Sequence, residues 1–390
     1  MENSENNILL PVKKLKIKSK KNKFRLLKTE AKLENETEKK RYYIFDNIKG
    51  LLIFAVVFSH FLWEYAKLRI YTISRQIVIY LYYFHIPGFV FISGFLTSEN
   101  SSKISNAFKV LILYYIFNFS FNIIVHIYFN EPIEISYPKS SYWYLLSLFF
   151  WRISIKYINR FKYCLTISLI ISLLEGYFSF FTNAFSLIRT IAYFPFFIAG
   201  YKIAKTEIFD DFLIWRTELF NFICFFIACL FFLYRFKIYI DNNLNKIVNE
   251  VLIMSGYDEN NSIKERFFYF IFAFLIIFFF IIIFPNYKIP LINKWGKNSL
   301  CIFLFYSIFV EFADKYLFNQ QKYSASIIEY SLLFTIIILF IFGADIVNKF
   351  FNLFVNSIHR NLLEFRIKGK IIYFLFLLSF IILLIYRFNI

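Results

Sequence analysis

The sequence predicts an all-α integral membrane protein, a bundle of about ten to twelve transmembrane helices. Composition is the first reason: of 390 residues, 59% are hydrophobic and only 18% are charged. Soluble domains are nearer about 45–50% apolar and about 25% charged. The second reason is a series of apolar runs that are long and continuous, without the alternation of a membrane β-strand. Both observations exclude a soluble domain with a large core.

Each predicted span is an apolar run near the length of about 20 residues that a bilayer requires. The fourth run is the weakest, because Arg152 and Lys156 shorten its apolar part. The runs are 45–63, 77–97, 107–129, 141–158, 163–182, 186–204, 217–235, 267–285, 296–313, 326–348 and 370–388.

A basic tail precedes the first run. Residues 1–41 hold 13 Lys or Arg and 6 acidic residues, in a chain whose net charge is +18. Without apolar periodicity, residues 1–43 are predicted to be a mostly disordered cytosolic tail, ahead of a membrane domain over 44–390. Beside such a domain, the basic charge favours anionic lipid headgroups of the bilayer as the partner, and no nucleic acid.

Charges between the runs give the orientation. Lys and Arg concentrate in predicted loops on the tail side, so the positive-inside rule predicts a cytosolic N-terminus, with the plasma membrane as the expected host. Segment 64–76 is an exception. The basic loops are 152–162, 286–297 and 343–370, and the poorer ones on the other side are 130–140 and 314–325.

The first run carries three ionisable residues on one helix. His60 follows Lys49 by eleven residues, which places it within about 20° of Lys49 and roughly 16 Å further along the axis, and Asp46 shares the same broad face. Ionisable groups in a spanning helix are costly and indicate function. This stripe suits a long anionic ligand with its charged head near Lys49 and its reactive end near His60, a natural proton acceptor. The alternative is that Lys49 reaches to headgroups and His60 caps the outer interface.

The second run contains His85 two residues before Pro87, a pattern that predicts a break in the helix. Ser93 and Gly94 then allow close packing or a second irregularity. Two interpretations of His85 remain open. It bonds to a carbonyl freed by the kink, or it lines one cavity with His60.

These motifs carry a family resemblance. D-x-x-K-G over 46–50, an apolar stretch ending in His60, and F-H-x-P-x-F-x-x-x-S-G over 84–94 resemble the acyltransferase 3 superfamily of membrane O-acyltransferases, closest to its fucose 4-O-acetylase-like branch. The resemblance spans about residues 41–310. Supporting segments are Tyr142-Trp143-Tyr144-Leu145-Leu146, Arg189 with Phe194-Pro195-Phe196-Phe197, and Trp295-Gly296 with Ser299-Leu300.

The resemblance implies transfer of an acyl group, usually acetyl from acetyl-CoA, to a hydroxyl of a surface or lipid-linked glycan. His60 is then the proton acceptor and His85 binds substrate or orients the cavity, while Asp46 and Lys49 organise the mouth for the phosphorylated donor. Acyl-CoA and the glycan are the expected partners, with no permanently bound cofactor. No metal site is expected either, since the four cysteines form no C-x-x-C pair.

Three further residues are candidates for substrate binding: Arg189, Trp143 and Ser93. Arg189 has an alternative, neutralisation by Glu175 from the preceding helix. For Trp143, anchoring at the membrane interface is favoured over stacking on a sugar. Direct transfer is preferred to an acyl-enzyme, because Ser59 and His60 point about 100° apart on their helix.

Two residues depart from the family pattern. Lys49 stands where many members have Arg, and Tyr306 where the late motif commonly has His; a tyrosine is a poor base at neutral pH. The rival hypotheses are a transporter or flippase for an anionic or lipid-linked saccharide, and a degenerate member that only binds partners.

Overall fold

The computed structural model describes residues 42–67, 72–98, 101–134, 137–177, 184–215, 263–318 and 327–364, with a few short pieces between 222 and 238. The described part of the chain is 85% helical and contains no strand. The described helices belong to one compact unit that begins at Tyr43. This confirms the all-α membrane fold. The predicted tail lies outside the described residues except for Tyr42 and Tyr43.

Thirteen helices are labelled here in chain order. They are α1 (Tyr43–Lys67), α2 (Thr72–Tyr82), α3 (His85–Phe95), α4 (Ile104–Phe129), α5 (Trp143–Ile158), α6 (Cys164–Leu174), α7 (Leu187–Ile203), α8 (Ile208–Trp215), α9 (Ile263–Ile283), α10 (Pro290–Lys297), α11 (Ser299–Phe312), α12 (Ile327–Phe342) and α13 (Asp345–Glu364).

Four described segments are long and apolar enough to cross a bilayer, and three strongly bent helix pairs raise that number to seven. The bends are 83° between α7 and α8, 78° between α10 and α11, and 61° between α12 and α13. The predicted runs at 217–235 and 370–388 lie largely or wholly outside the described residues. The four segments are Tyr43–Trp63, Ile73–Phe95, Ile104–Phe129 and Ile263–Ile283.

The basic segments predicted as loops are largely helical, which corrects that part of the sequence analysis. Arg152 belongs to α5, Lys294 and Lys297 belong to α10, and most of 343–370 is α13. The physical reason is that a basic side chain need not end a helix, because its long apolar stem can pack on the protein while the charge finds water or a cavity.

The predicted break around Pro87 lies just before His85. Helix α2 ends at Tyr82 and α3 begins at His85, so Pro87 falls in the first turn of α3. Proline lacks an N–H group and clashes with the preceding turn, and the first turn of a helix is where both defects cost least. The break therefore precedes the proline and exposes backbone carbonyls near His85.

Two helix crossings depend on glycine. At Gly50 of α1 an added Cβ would collide with the Ile292 carbonyl oxygen of α10, and at Gly296 of α10 it would collide with the Asp46 carbonyl oxygen. Gly94 and Gly200 make the same reciprocal approach between α3 and α7. Small residues let membrane helices approach to backbone contact, so these crossings fix α1 and α3 in the bundle.

Asn47 fixes the entry into α10. Its fully buried amide nitrogen donates to the carbonyl oxygens of Pro285 and Tyr287, at 3.1 and 2.8 Å. Its amide oxygen accepts from the amide nitrogen of Asn293 at 3.2 Å. The turn between α9 and α10 is thereby held against α1, two residues before Lys49.

Candidate active site

A cavity of about 700 Å³ lies between helices α1, α3, α5, α7 and α11. Most of these helices contribute side chains at helical spacing, so that each presents one face along the cavity. The lining from α11 and the turn after it runs from Leu300 to Asp314, roughly 21 Å at the rise of an α-helix. The faces that line the cavity carry Lys49, Val56, His60 and Trp63 on α1, His85, Phe89 and Ser93 on α3, Tyr144, Leu148 and Arg152 on α5, and Leu300, Phe303, Ser307 and Glu311 on α11.

The cavity has two ends, named here by residues that line them. The Lys49 end is formed where α1 meets α3 and the end of α10, just before α11 begins, because Phe45 and Phe95 have ring centroids 4.3 Å apart and Gly296 contacts the Asp46 carbonyl. The Glu131 end holds Glu131 and Lys139 of the segment between α4 and α5. Charged groups therefore lie at both ends.

His60 and His85 line the middle of the same cavity. Their depth is similar, since the Trp63 ring stacks on Tyr82 at 5.7 Å and the Tyr82 ring meets His85 edge-on at 4.5 Å. The structure therefore places together the two histidines that the sequence analysis had left as either separate or shared. Histidine is the side chain best suited to proton transfer near neutral pH.

His85 also makes the bond of the other interpretation. Its Nδ1 lies 2.7 Å from the Leu81 carbonyl oxygen at the break before α3. A carbonyl only accepts, so Nδ1 carries the hydrogen, and in the neutral imidazole Nε2 is left as a lone-pair acceptor. Both interpretations of His85 are therefore correct: its ring bonds the carbonyl that the break frees, and the same ring lines the cavity.

Tyr306 contacts His60. The two rings meet edge-on at 5.3 Å, and the Tyr306 hydroxyl donates to Ser141 Oγ at 2.6 Å. Ser307 Oγ lies 3.3 Å from Ser141 Oγ and accepts from Ser140 at 3.1 Å. These three serines line the cavity. The residue that departs from the family pattern thus packs on the candidate base and is held by a hydroxyl cluster.

Lys49 and Asp46 form an ion pair one helical turn apart, with 2.9 Å between Nζ and Oδ1. Lys49 lines the cavity, whereas Asp46 is not among its lining residues. The two residues share one face of α1, as the sequence predicted, and of the two only Lys49 lines the cavity.

Arg189, Trp143 and Ser93 all line the cavity. The Arg189 guanidinium lies 5.3 Å from the Trp143 ring, whose other neighbour is Tyr193, stacked at 5.6 Å. Trp143 is only 6% exposed, so the favoured expectation of an interfacial anchor is wrong: the ring is packed inside the bundle. Ser93 Oγ lies 2.6 Å from the Tyr144 hydroxyl.

Glu175 forms its buried ion pair with Arg266 of α9. Arg266 is fully buried and Glu175 nearly so. The hypothesis that Glu175 serves Arg189 rested on their nearness in sequence. The buried ion pair joins residues 91 positions apart.

An ion-pair cluster lies at the Glu131 end. Glu131 reaches Lys139 at 3.6 Å and Lys315 at 3.5 Å. Lys315 lies in a π-helical turn, Ala313–Phe318, a geometry that recurs at functional sites. Backbone N–H groups of Glu134 and Lys139 donate to the side chains of Asn122 and Asn118, which tie this segment to α4.

Sequence reasoning missed Arg152 and the serines Ser140, Ser141 and Ser307 as lining residues. Arg152 had a signal, since an ionisable residue inside an apolar run indicates function. The serines had none, because they come together from segments more than 160 residues apart.

The sequence matches the model of a known protein family. The acyltransferase domain model of the acyltransferase 3 family matches residues 42–346, most of the chain and all of the cavity. The chain belongs to the acyltransferase 3 family. No curated protein and no solved structure gives a significant match. Membership indicates acyltransferase activity in a multi-pass membrane protein.

Proposed function

We propose that this acyltransferase 3 protein moves an acetyl group from acetyl-CoA to a hydroxyl of a surface or lipid-linked glycan. The observation that carries the proposal is the meeting of His60 and His85 in one cavity with charged groups at both ends. The donor enters the Lys49 end from the cytosol, and the acceptor reaches the histidines from the Glu131 end.

The reaction is a direct transfer. The acceptor hydroxyl oxygen attacks the thioester carbonyl carbon, a carbon–oxygen ester bond forms, and the carbon–sulfur bond breaks. His60 takes the hydroxyl proton and delivers it to the departing thiolate, so the enzyme ends as it began. His85 Nε2 is a second acceptor nitrogen at similar depth and accepts a hydrogen bond from a neighbouring hydroxyl of the glycan, which orients the acceptor.

A serine acyl-enzyme next to His60 has no support in the structure. The Ser59 hydroxyl donates to the Val56 carbonyl oxygen at 2.9 Å, and its side chain is fully buried. Ser59 is also not among the cavity-lining residues. A hydroxyl already committed to its own helix is a poor nucleophile for a donor in the cavity.

The test is transfer of label from radiolabelled acetyl-CoA to glycan in membranes that hold the protein. Wild type is expected to label the glycan fraction, and His60→Ala to label it at least about 100-fold more slowly, the usual contribution of a general base. His126→Ala is the matched control, because His126 is exposed on α4, is not among the cavity-lining residues and bonds only the backbone carbonyl of Glu131 in its described hydrogen bond.

Equal labelling by wild type and His60→Ala would remove the role given to His60. A purified protein that moves an anionic or lipid-linked saccharide across vesicles without acyl-CoA, and labels nothing, would favour the transporter hypothesis instead.

A further inference from the structure

We propose that Arg152 is the phosphate-binding residue of the Lys49 end, and that it holds the phosphorylated part of the acyl donor. The inference rests on the proposed function, because it names the residue and the ligand group by which the donor is selected. Nothing in the sequence motifs or the family match points to Arg152.

The first step is position. Helices α5 and α11 run antiparallel, since Ser141 Oγ meets Ser307 Oγ at 3.3 Å and the Tyr144 and Phe303 rings are 5.6 Å apart. Eight residues further along α5, Arg152 lies roughly 12 Å beyond Tyr144. That places it level with the start of α11, where the Lys49 end is built.

The second step is the charge. The Nε atom of Arg152 is buried and has no hydrogen-bond acceptor, and no ion pair of Arg152 occurs within the described part of the chain. The side chain as a whole is half-buried. A cation without a counter-charge is costly inside a membrane protein, and such a charge normally meets a counter-charge or a ligand. Lys49, by contrast, already has Asp46.

The third step is what surrounds the guanidinium. Arg152 and Lys49 line the same end as Ser299 and Leu300, the first turn of α11. The start of a helix carries partial positive charge and favours an anion. At the opposite end the lining holds the carboxylates Glu131, Glu311 and Asp314, which outnumber the two lysines there, Lys139 and Lys315. An anion is therefore favoured at the Lys49 end.

The fourth step is the kind of anion. A guanidinium presents a planar fork of donors that matches phosphate oxygens in pairs, which a lysine ammonium does not. Lys49 lies roughly 16 Å along α1 from His60. A ligand with phosphates at this end and its acyl group at His60 must carry an extended arm between them, as acyl-CoA does.

The experiment measures binding of radiolabelled coenzyme A to purified protein in uncharged detergent, which needs no transfer. Arg152→Gln is expected to weaken binding by about 10- to 100-fold, the value of one or two charge-assisted hydrogen bonds. Arg152→Lys keeps the charge and recovers part of the affinity. Lys156→Gln, the same charge change one turn along α5 on an exposed residue, leaves binding unchanged.

A second arm compares acetyl-CoA with acetyl-pantetheine, which lacks the phosphates. Arg152→Gln is expected to raise KM for acetyl-CoA and leave KM for acetyl-pantetheine unchanged, and the unaltered second substrate also shows that the variant is folded. Equal changes for both donors, or unchanged coenzyme A binding, would overturn the inference while the transfer activity stands. Binding without any transfer would overturn the proposed function alone.

A lipid phosphate is the other source of the same chemistry. Adding anionic phospholipid to the assay is expected to leave coenzyme A binding to wild type unchanged. If the lipid displaces coenzyme A from wild type, and Arg152→Gln abolishes that displacement, Arg152 holds a lipid headgroup and the assignment to the donor is wrong.

Discussion

His85 and Arg266 illustrate how single polar residues are accommodated in this bundle. His85 is 1% exposed and donates its Nδ1 hydrogen to the Leu81 carbonyl oxygen, and Arg266 is fully buried and forms an ion pair with Glu175. In a membrane protein an unsatisfied polar group costs several kcal/mol, so such partners are required. The difference between the two residues is that only His85 also lines the cavity.

The burial of the Glu175–Arg266 pair predicts its contribution to stability. Glu175→Gln is expected to lower the free energy of unfolding by about 3–5 kcal/mol, because the Arg266 charge is left buried without its counter-charge. Glu131→Gln, at a partly exposed ion pair, is expected to cost less than about 1 kcal/mol. Thermal and denaturant unfolding in detergent measure both. Similar losses for the two variants would contradict this view of the buried pair.

For single residues, the sequence predicts which side chains share a face of the same helix. Lys49 and His60 share a face because eleven residues make just over three turns of a helix, and both line the cavity. Partners from other helices follow no such rule. Nearness in the chain suggested Arg189 as one partner of Glu175, and gave no sign of the ion pair that Glu175 forms with Arg266, 91 positions away.

The helices meet by backbone contact at glycine. Gly94 and Gly200 bring α3 and α7 together, and Gly50 and Gly296 bring α1 and α10 together. At each of these four positions the obstacle to a larger residue is a carbonyl oxygen of the facing helix. A backbone carbonyl cannot rotate away as a side chain can, so these contacts set the distance between helices.

Gly94→Ala and Gly88→Ala form a matched pair that tests this. The Cβ at Gly94 meets the Phe197 backbone, so the helices must separate, and we expect a loss of about 1–3 kcal/mol in the free energy of unfolding. The Cβ at Gly88 meets only the flexible Leu52 side chain at 3.0 Å, and we expect a change within about 1 kcal/mol. Melting temperatures in detergent compare them, and an equal shift would contradict the packing argument.

The sequence predicts that most of the described helices exist, but it predicts the residues at which they begin and end less well. The run at 107–129 became α4 almost unchanged, because nothing in it interrupts apolar length. The run at 296–313 differs, since the helix breaks between α10 and α11 at Asn298, whose amide donates to the Gly343 carbonyl oxygen at 2.8 Å. That bond comes from a helix junction 45 residues away, and a local pattern does not contain it.

The cavity is a property of the whole molecule. Its lining joins Lys49 near the start of the domain to Lys315 in the later part of the family match, and the segment between α4 and α5 lines the Glu131 end. The stripe on α1 and the family resemblance predicted one wall. The other walls depend on which helices pack together, which glycine contacts and buried hydrogen bonds decide, and these are long-range.

The central claim is that one cavity brings a cytosolic donor and an acceptor from the other side to the same pair of histidines. Sealed right-side-out vesicles that hold the protein and its native glycans test it most directly. Radiolabelled acetyl-CoA trapped inside is expected to label glycan at the outer face, and the same donor added only outside is expected to label none. Labelling that requires acetyl-CoA outside, with none from the trapped donor, would contradict the account.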